Sequence, residues 1–224
     1  MKLVVSALIA VLTLAASAAA ETRNFSGFTR VKAVDHIAVE VRMGPTYRVE
    51  VTGPEADRIA TVIDIDGALK VSERNRAWFG PDRGVNALVR VTMPNVTELV
   101  GAKGATLTAY DINVERMSLV AAMGAVVNIN GQCRALSATA AMGGVLHAQN
   151  FHCATLDTTA AMGGDVEVFA SDRFDATAAM GGSVRIAGGA HGQTTAAMGG
   201  NIEIADGGHA DDRTAVMGGS VSER

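Results

Sequence analysis

The sequence predicts an all-β chain wound as a parallel solenoid with coils of about 19 residues. Three observations carry this. The phrase Ala-Ala-Met-Gly-Gly, or a near copy, recurs around Met123, Met142, Met162, Met180, Met198 and Met217, at intervals of 19, 20, 18, 18 and 19 residues. The residues between the phrases alternate apolar and polar with a period of two, which is the period of a strand. Aromatic residues are only 4% of the chain, against 25 glycines, and a core of Ala, Val, Ile and Met suits a thin stack better than a thick sandwich.

Each coil can be aligned on its methionine. Four residues later stand Val127, Leu146, Val166, Val184 and Ile202; six later stand Ile129, Ala148, Val168, Ile186 and Ile204. Between these two inward columns lies Asn128, His147, Glu167, Arg185 and Glu203, which must then face out. Upstream, Met117, Leu136, Leu156 and Phe174 occupy the sixth position before the methionine, and Leu119, Ala138, Thr158, Ala176 and Thr194 the fourth. Each coil therefore holds two or three short strands, with Gly-Gly at a corner where the backbone needs room or positive φ. Continuing the same alternation puts the methionines inside, as a packing ladder. A corner that turned them outward would instead make an apolar stripe, a candidate interaction surface. A degenerate copy at Gly101–Ala105 sets the start of the regular stack near residue 96.

Residues 1–20 read as a cleaved signal peptide: Lys2, an apolar stretch from Leu3 to Ala16, and small residues Ala18–Ala20. The mature chain then begins at Glu21 and is exported, to the periplasm, the cell surface or the medium. Residues 21–95 form an irregular β region with strands expected at Phe28–Val34, Ile37–Val41, Tyr47–Val51, Ala68–Val71 and Ala87–Met93. Glu55–Ala60 suggests a helical turn, and Asp64–Leu69 a hairpin turn. Residues 96–224 form the repeat region, continuous with the first as one domain because no linker divides them.

Cys133 and Cys153 each precede their repeat methionine by nine residues, so they occupy the same place in successive coils. Stacked strands are about 4.8 Å apart, inside the Cα window for a disulfide of about 4.4–6.8 Å. In an oxidising compartment a bond is the expected state, with stacked free thiols the alternative.

The order of elements resembles the head-domain (GIN domain) family of auto-transporter adhesins, a bacterial domain of unknown function. The residues that carry the resemblance run from Phe25 to Val221. They are Phe25-Ser26-Gly27-Phe28, Val49-Glu50-Val51-Thr52-Gly53, Gly67-Ala68-Leu69-Lys70-Val71, Val91-Thr92-Met93-Pro94, Leu99-Val100-Gly101 and Gly200-Asn201-Ile202-Glu203-Ile204. Where that family has Ser-Gly in its repeats, this chain has Ala-Met. The resemblance implies a right-handed parallel β-helix, an envelope or surface location and an adhesin-like role. It carries no catalytic residues.

Weighed for chemistry, the chain yields little that points to catalysis. Net charge is −4, with no basic patch for nucleic acid. The column Glu167, Arg185, Glu203 reads as a solvated ion-pair ladder; as a catalytic carboxylate pair it would describe a polysaccharide-active enzyme. A calcium β-roll would need an Asp in every turn, three residues after the methionine, and only Asp165 is acidic there. A methionine column could hold Cu(I), the mark of a metal-handling or stress-response protein, but the packing ladder is the expected role. No metal site, cofactor or catalytic residue is therefore expected. The most ligand-like segment is a loop with Arg74, Arg76, Trp78, Phe79 and Arg83, since Trp beside Arg is the usual composition of a binding hot spot. The expected partner is an envelope or surface ligand, protein or glycan. Self-association through the open end of the solenoid is a further expectation.

Overall fold

The computed structural model describes residues 20–74 and 84–224. Residues 1–19 of the expected signal segment and most of the expected Trp78 loop lie outside them. The described chain is a β-solenoid of about seven turns, its strands joined in one sheet.

The N-terminal region contains β1 (Glu21–Arg23), β2 (Arg30–Val34), β3 (Ala38–Met43), β4 (Arg48–Thr52), β5 (Ile59–Ile63), β6 (Leu69–Glu73), β7 (Leu88–Met93) and β8 (Glu98–Ala102). The repeat region begins with long strands that bend around whole coils: β9 (Thr106–Ala122), β10 (Val126–Ala141), β11 (Val145–Ala161) and β12 (Asp165–Ala179). Later coils split into pairs, β13 (Ser183–Ala187) with β14 (His191–Ala197), then β15 (Asn201–Ile204) with β16 (His209–Val216), and finally β17 (Ser220–Glu223).

In the N-terminal region chain order is not stacking order. β2 lies between β6 and β8, parallel to both, and β3 lies between β7 and β9, also parallel to both. Thus β6–β7, β2–β3 and β8–β9 are successive coils. Beyond them the ladder turns antiparallel: β4 pairs with β7, β1 with β4, and β5 with β6. These strands close the N-terminal end of the stack.

The sequence pattern places the strands of this region to within a few residues but leaves β5 unassigned, with a helical turn at its start. A single 3-10 turn does occupy Ala56–Arg58. The chain then runs straight into β5, whose hairpin to β6 closes where the Gly67 amide donates to the Asp64 carbonyl at 2.8 Å.

In the repeat region the inward columns are as the alternation predicts. Val127, Leu146, Val166, Val184 and Ile202 are fully buried, as are Leu119, Ala138 and Ala176 among their neighbours. Thr158 and Thr194 also point in, and each hydroxyl donates to a carbonyl of the adjacent coil, Ala138 and Asp212. At the C-terminal end β17 pairs only with β15 and β16 only with β14 among the described residues.

The methionines are the main correction. They do not continue the inward alternation but stand at the surface, 45–49% exposed from Met123 to Met198 and 73% at Met217. The strand stops one residue earlier, at an alanine or, before Met217, at Val216. Met162 (φ 50°) and Gly163 (φ 74°) both adopt positive φ, and the Gly164 amide donates to the Ala161 carbonyl at 3.0 Å. Positive φ at both central positions is the signature of a type I′ turn. It redirects the chain within two residues and turns the methionine away from the core. The same geometry recurs at Met142, Met180, Met198 and Met217.

The glycines of the phrase have different duties. The first, such as Gly163, supplies positive φ, and a Cβ there would meet nothing within 4 Å. The second, such as Gly164, lies against the preceding coil, where a Cβ would be 2.2 Å from the Ala140 carbonyl oxygen.

Candidate functional site

The turns stack as regularly as the strands. The Gly143 amide donates to the Met162 carbonyl, Gly163 to Met180 and Gly181 to Met198, each at 3.2 Å. The methionines thus form one column along the solenoid. At its N-terminal end Lys103 occupies the equivalent turn position with φ 54°, and Asp35 lies in register with it beyond.

Two further outward columns flank the methionines on the strand that leads into each turn. Ala122, Ala141, Ala161, Ala179, Ala197 and Val216 form the nearer one, paired coil to coil. Thr139, Thr159, Thr177, Thr195 and Thr214 form the second, again in unbroken register. The threonine column escapes the sequence reading. Its signal is the threonine three residues before each of the last five repeat methionines. Together the three columns make a flat face of hydroxyl, methyl and thioether groups that carries no ionisable side chain from Met123 to Met198. An exposed side chain at an αL position is costly for any residue but Gly, Asn or Asp, by roughly 1–2 kcal/mol.

The ion-pair column has the expected arrangement, and its members alternate. Glu167 accepts from His147 Nδ1 at 2.9 Å and pairs with Arg185 at 3.4 Å; Glu203 pairs with Arg185 at 3.2 Å and with Arg224 at 3.1 Å. Arg185 thus lies between the two carboxylates and pairs with both. The pairs are surface pairs, each worth at most about 1 kcal/mol.

Cys133 and Cys153 are joined, with S–S 2.05 Å and Cα–Cα 4.5 Å. Cys153 is buried, and next to it His152 stacks on Phe169 with ring centroids 4.4 Å apart. Past this corner, a shallow groove of about 450 Å³ runs over Met117, Leu136 and Leu156, with Arg116 and Asp157 among its lining residues.

Of the predicted ligand loop, Arg76, Trp78, Phe79 and Arg83 lie outside the described residues. Arg74 is exposed at the end of β6, its amide donating to the Arg58 carbonyl. Because β6 and β7 stack on β2 and β3, Arg74 and Gly84 flank the same corner of the coil that Asp35 and His36 turn in the next. Among the described residues no group of three His, Cys, Asp or Glu is placed to hold a metal, and no helix is long and apolar enough to cross a membrane.

Comparison with known proteins agrees with this architecture. The family model described as putative auto-transporter adhesin, head GIN domain, matches residues 27–190. A search of curated proteins gives no match. Among solved structures, a putative adhesin from Parabacteroides merdae superposes with a TM-score of 0.63 at 14% identity, covering 94% of this chain and 97% of its own. A putative lipid binding protein from Parabacteroides distasonis gives 0.61 at 14% identity, covering 94% and 98%. A putative adhesin from Bacteroides fragilis gives 0.59 at 11% identity, covering 94% and 98%. At these identities the likeness is one of fold.

Proposed function

Since this chain belongs to the auto-transporter adhesin head GIN domain family, we propose that it is a non-catalytic, adhesin-like binding module of the bacterial envelope, exported to the periplasm or cell surface. The observation that carries the reading is the face of threonine, alanine and methionine. Six methionines are held outward at a backbone conformation that disfavours them, so their identity answers to something other than the fold.

The occupant this face suits is a protein surface. Methionine adapts its shape to a partner and is over-used at binding surfaces for that reason. The face lacks charge over its middle coils, which argues against an acidic glycan, and its flatness argues against a single small ligand. The groove over Met117, Leu136 and Leu156 supports a second reading, capture of a lipid chain, for which the lipid binding protein from Parabacteroides distasonis offers a fold-level analogy by name.

The test is adhesion of whole bacterial cells and purified envelope proteins to the immobilised chain. Met162→Lys with Met180→Lys is expected to abolish binding, and Met→Leu at the same sites to preserve it. Equal binding by the Lys variant sinks the assignment of the face. Sedimentation with phospholipid vesicles separates the lipid reading. Cleavage of polysaccharide that is lost in Glu167→Gln with Glu203→Gln would replace the binding reading with an enzymatic one.

A further inference from the structure

We propose that the methionine column binds a soft monovalent d10 cation, Cu(I) or Ag(I), through thioether sulfur alone. The first support is alignment. Adjacent turns are tied by hydrogen bonds from Gly143 to Met162, Gly163 to Met180 and Gly181 to Met198, all 3.2 Å, so neighbouring methionines are separated by one coil spacing, about 4.8 Å. If the metal–sulfur bond is taken as about 2.3 Å, the length of a zinc–thiolate bond, a linear sulfur–metal–sulfur unit spans about 4.6 Å, and somewhat more for the larger Ag(I). A cation held between two neighbouring thioethers therefore asks for little departure from the natural pitch of the stack.

The second support is accessibility. The methionines of the middle coils are about half exposed. Beside each of them the first glycine of the turn leaves open space, since a Cβ at Gly143, Gly163, Gly181 or Gly199 would meet nothing within 4 Å. An ion can reach the sulfurs without any rearrangement of the core.

The third support is chemical selection. Thioethers are neutral and soft; they favour Cu(I) over the harder Zn(II), Mg(II) and Ca(II), which need imidazole, thiolate or oxygen ligands. On the strand that enters each turn the neighbouring columns offer only methyl groups and threonine hydroxyls; on the strand that leaves it, Asp165 stands exposed beside Met162 and Met180 as a single carboxylate, too few ligands to hold a hard cation. The two cysteines, the strongest rival ligands for such an ion, are bonded to each other. Among the described residues Lys103 is the cationic side chain at the methionines' turn position, at the N-terminal end of their run, so the thioether sites begin at Met123. Pairing six thioethers two by two gives a capacity of about three ions per chain.

The experiment uses the whole mature chain with its disulfide intact. Ag(I) is titrated as the nitrate, and Cu(I) against a bicinchoninate competitor, with stoichiometry read by native mass spectrometry. Selective labelling of methionine methyl groups gives a second readout by NMR. The methyl signals of the repeat methionines are expected to shift on adding Ag(I), while buried Met93 and Met117 stay in place as internal controls. Replacing Met142, Met162, Met180 and Met198 by Leu keeps the face apolar and is expected to weaken Ag(I) binding by roughly tenfold or more. Unchanged affinity in that variant, or shifts confined to Met93 and Met117, would overturn the proposal. Should the fourfold variant fail to fold, the NMR titration of the unaltered chain decides alone. Leu substitution preserves an apolar face for a protein partner, so loss of metal binding and loss of adhesion are separately readable.

Discussion

Gly164 lies so close over Ala140 that a Cβ on it would come within 2.2 Å of the Ala140 carbonyl oxygen. Its neighbour Gly163 faces open space. Gly164→Ala is therefore expected to lower stability by about 3 kcal/mol or more, because backbone rather than a flexible side chain must give way. Gly163→Asn is expected to change it by less than about 1 kcal/mol, since Asn tolerates positive φ. Urea denaturation of the two variants distinguishes them, and equal losses would contradict the division of labour between the glycines.

Met162 supplies the opposite case. Asn at this turn position satisfies the backbone better than Met does, so Met162→Asn is expected to raise stability by about 0.5–1 kcal/mol. The same change should weaken Ag(I) binding. A destabilised Asn variant would mean that the methionine contributes to the fold after all.

The Cys133–Cys153 bond links residues 20 apart in sequence across successive coils. Replacing both by Ala is expected to cost about 3 kcal/mol, chiefly by releasing the unfolded chain. Thermal unfolding with and without reductant checks this, the double variant being insensitive to reductant.

Both ends of the stack should respond to acid. The Asn86 amide donates to Glu55 at 2.7 Å, Arg58 adds to it, and together they hold that carboxyl below its ordinary 4.5. The Ile65 amide, then Lys32, does the same for Asp64, whose ordinary value is 3.8. At the other end the Ala210 amide, and after it Arg213, lowers Glu223. A carboxyl with a depressed folded pKa stabilises fully above its unfolded value and loses that contribution as pH falls through the folded one. Melting temperature should thus be flat down to about pH 5 and fall below about pH 4.5. Glu55→Gln is expected to reduce the slope; a variant with the same acid profile would remove Glu55 from the account.

The core of the repeats is legible in the sequence because burial there follows strict alternation, so spacing alone puts Val166 and Val168 inside and Glu167 outside. Met162 is misplaced when the alternation is carried one residue past the end of the strand. The phrase itself holds the correction. Lys103 stands at the methionine's position in the degenerate first copy, and a lysine does not belong in a core of alanine and valine. The N-terminal region is harder for a different reason: β2 pairs with β6 and β8, and no local pattern tells a strand which distant strand it will lie against. β5 goes unseen because alternation fades along it: Ile59 is buried, but Val62 and Ile63 at its far end are exposed.

Because each regular coil bonds only to the coil before it and the coil after it, the face is modular in length. Duplicating one coil in the gene would add one thioether, one threonine and one alanine in register while leaving the closed N-terminal end and the last strand as they are. The strength of contact along this face is then a quantity evolution can count out in whole units, multiplying weak, identical contacts instead of refining any single one.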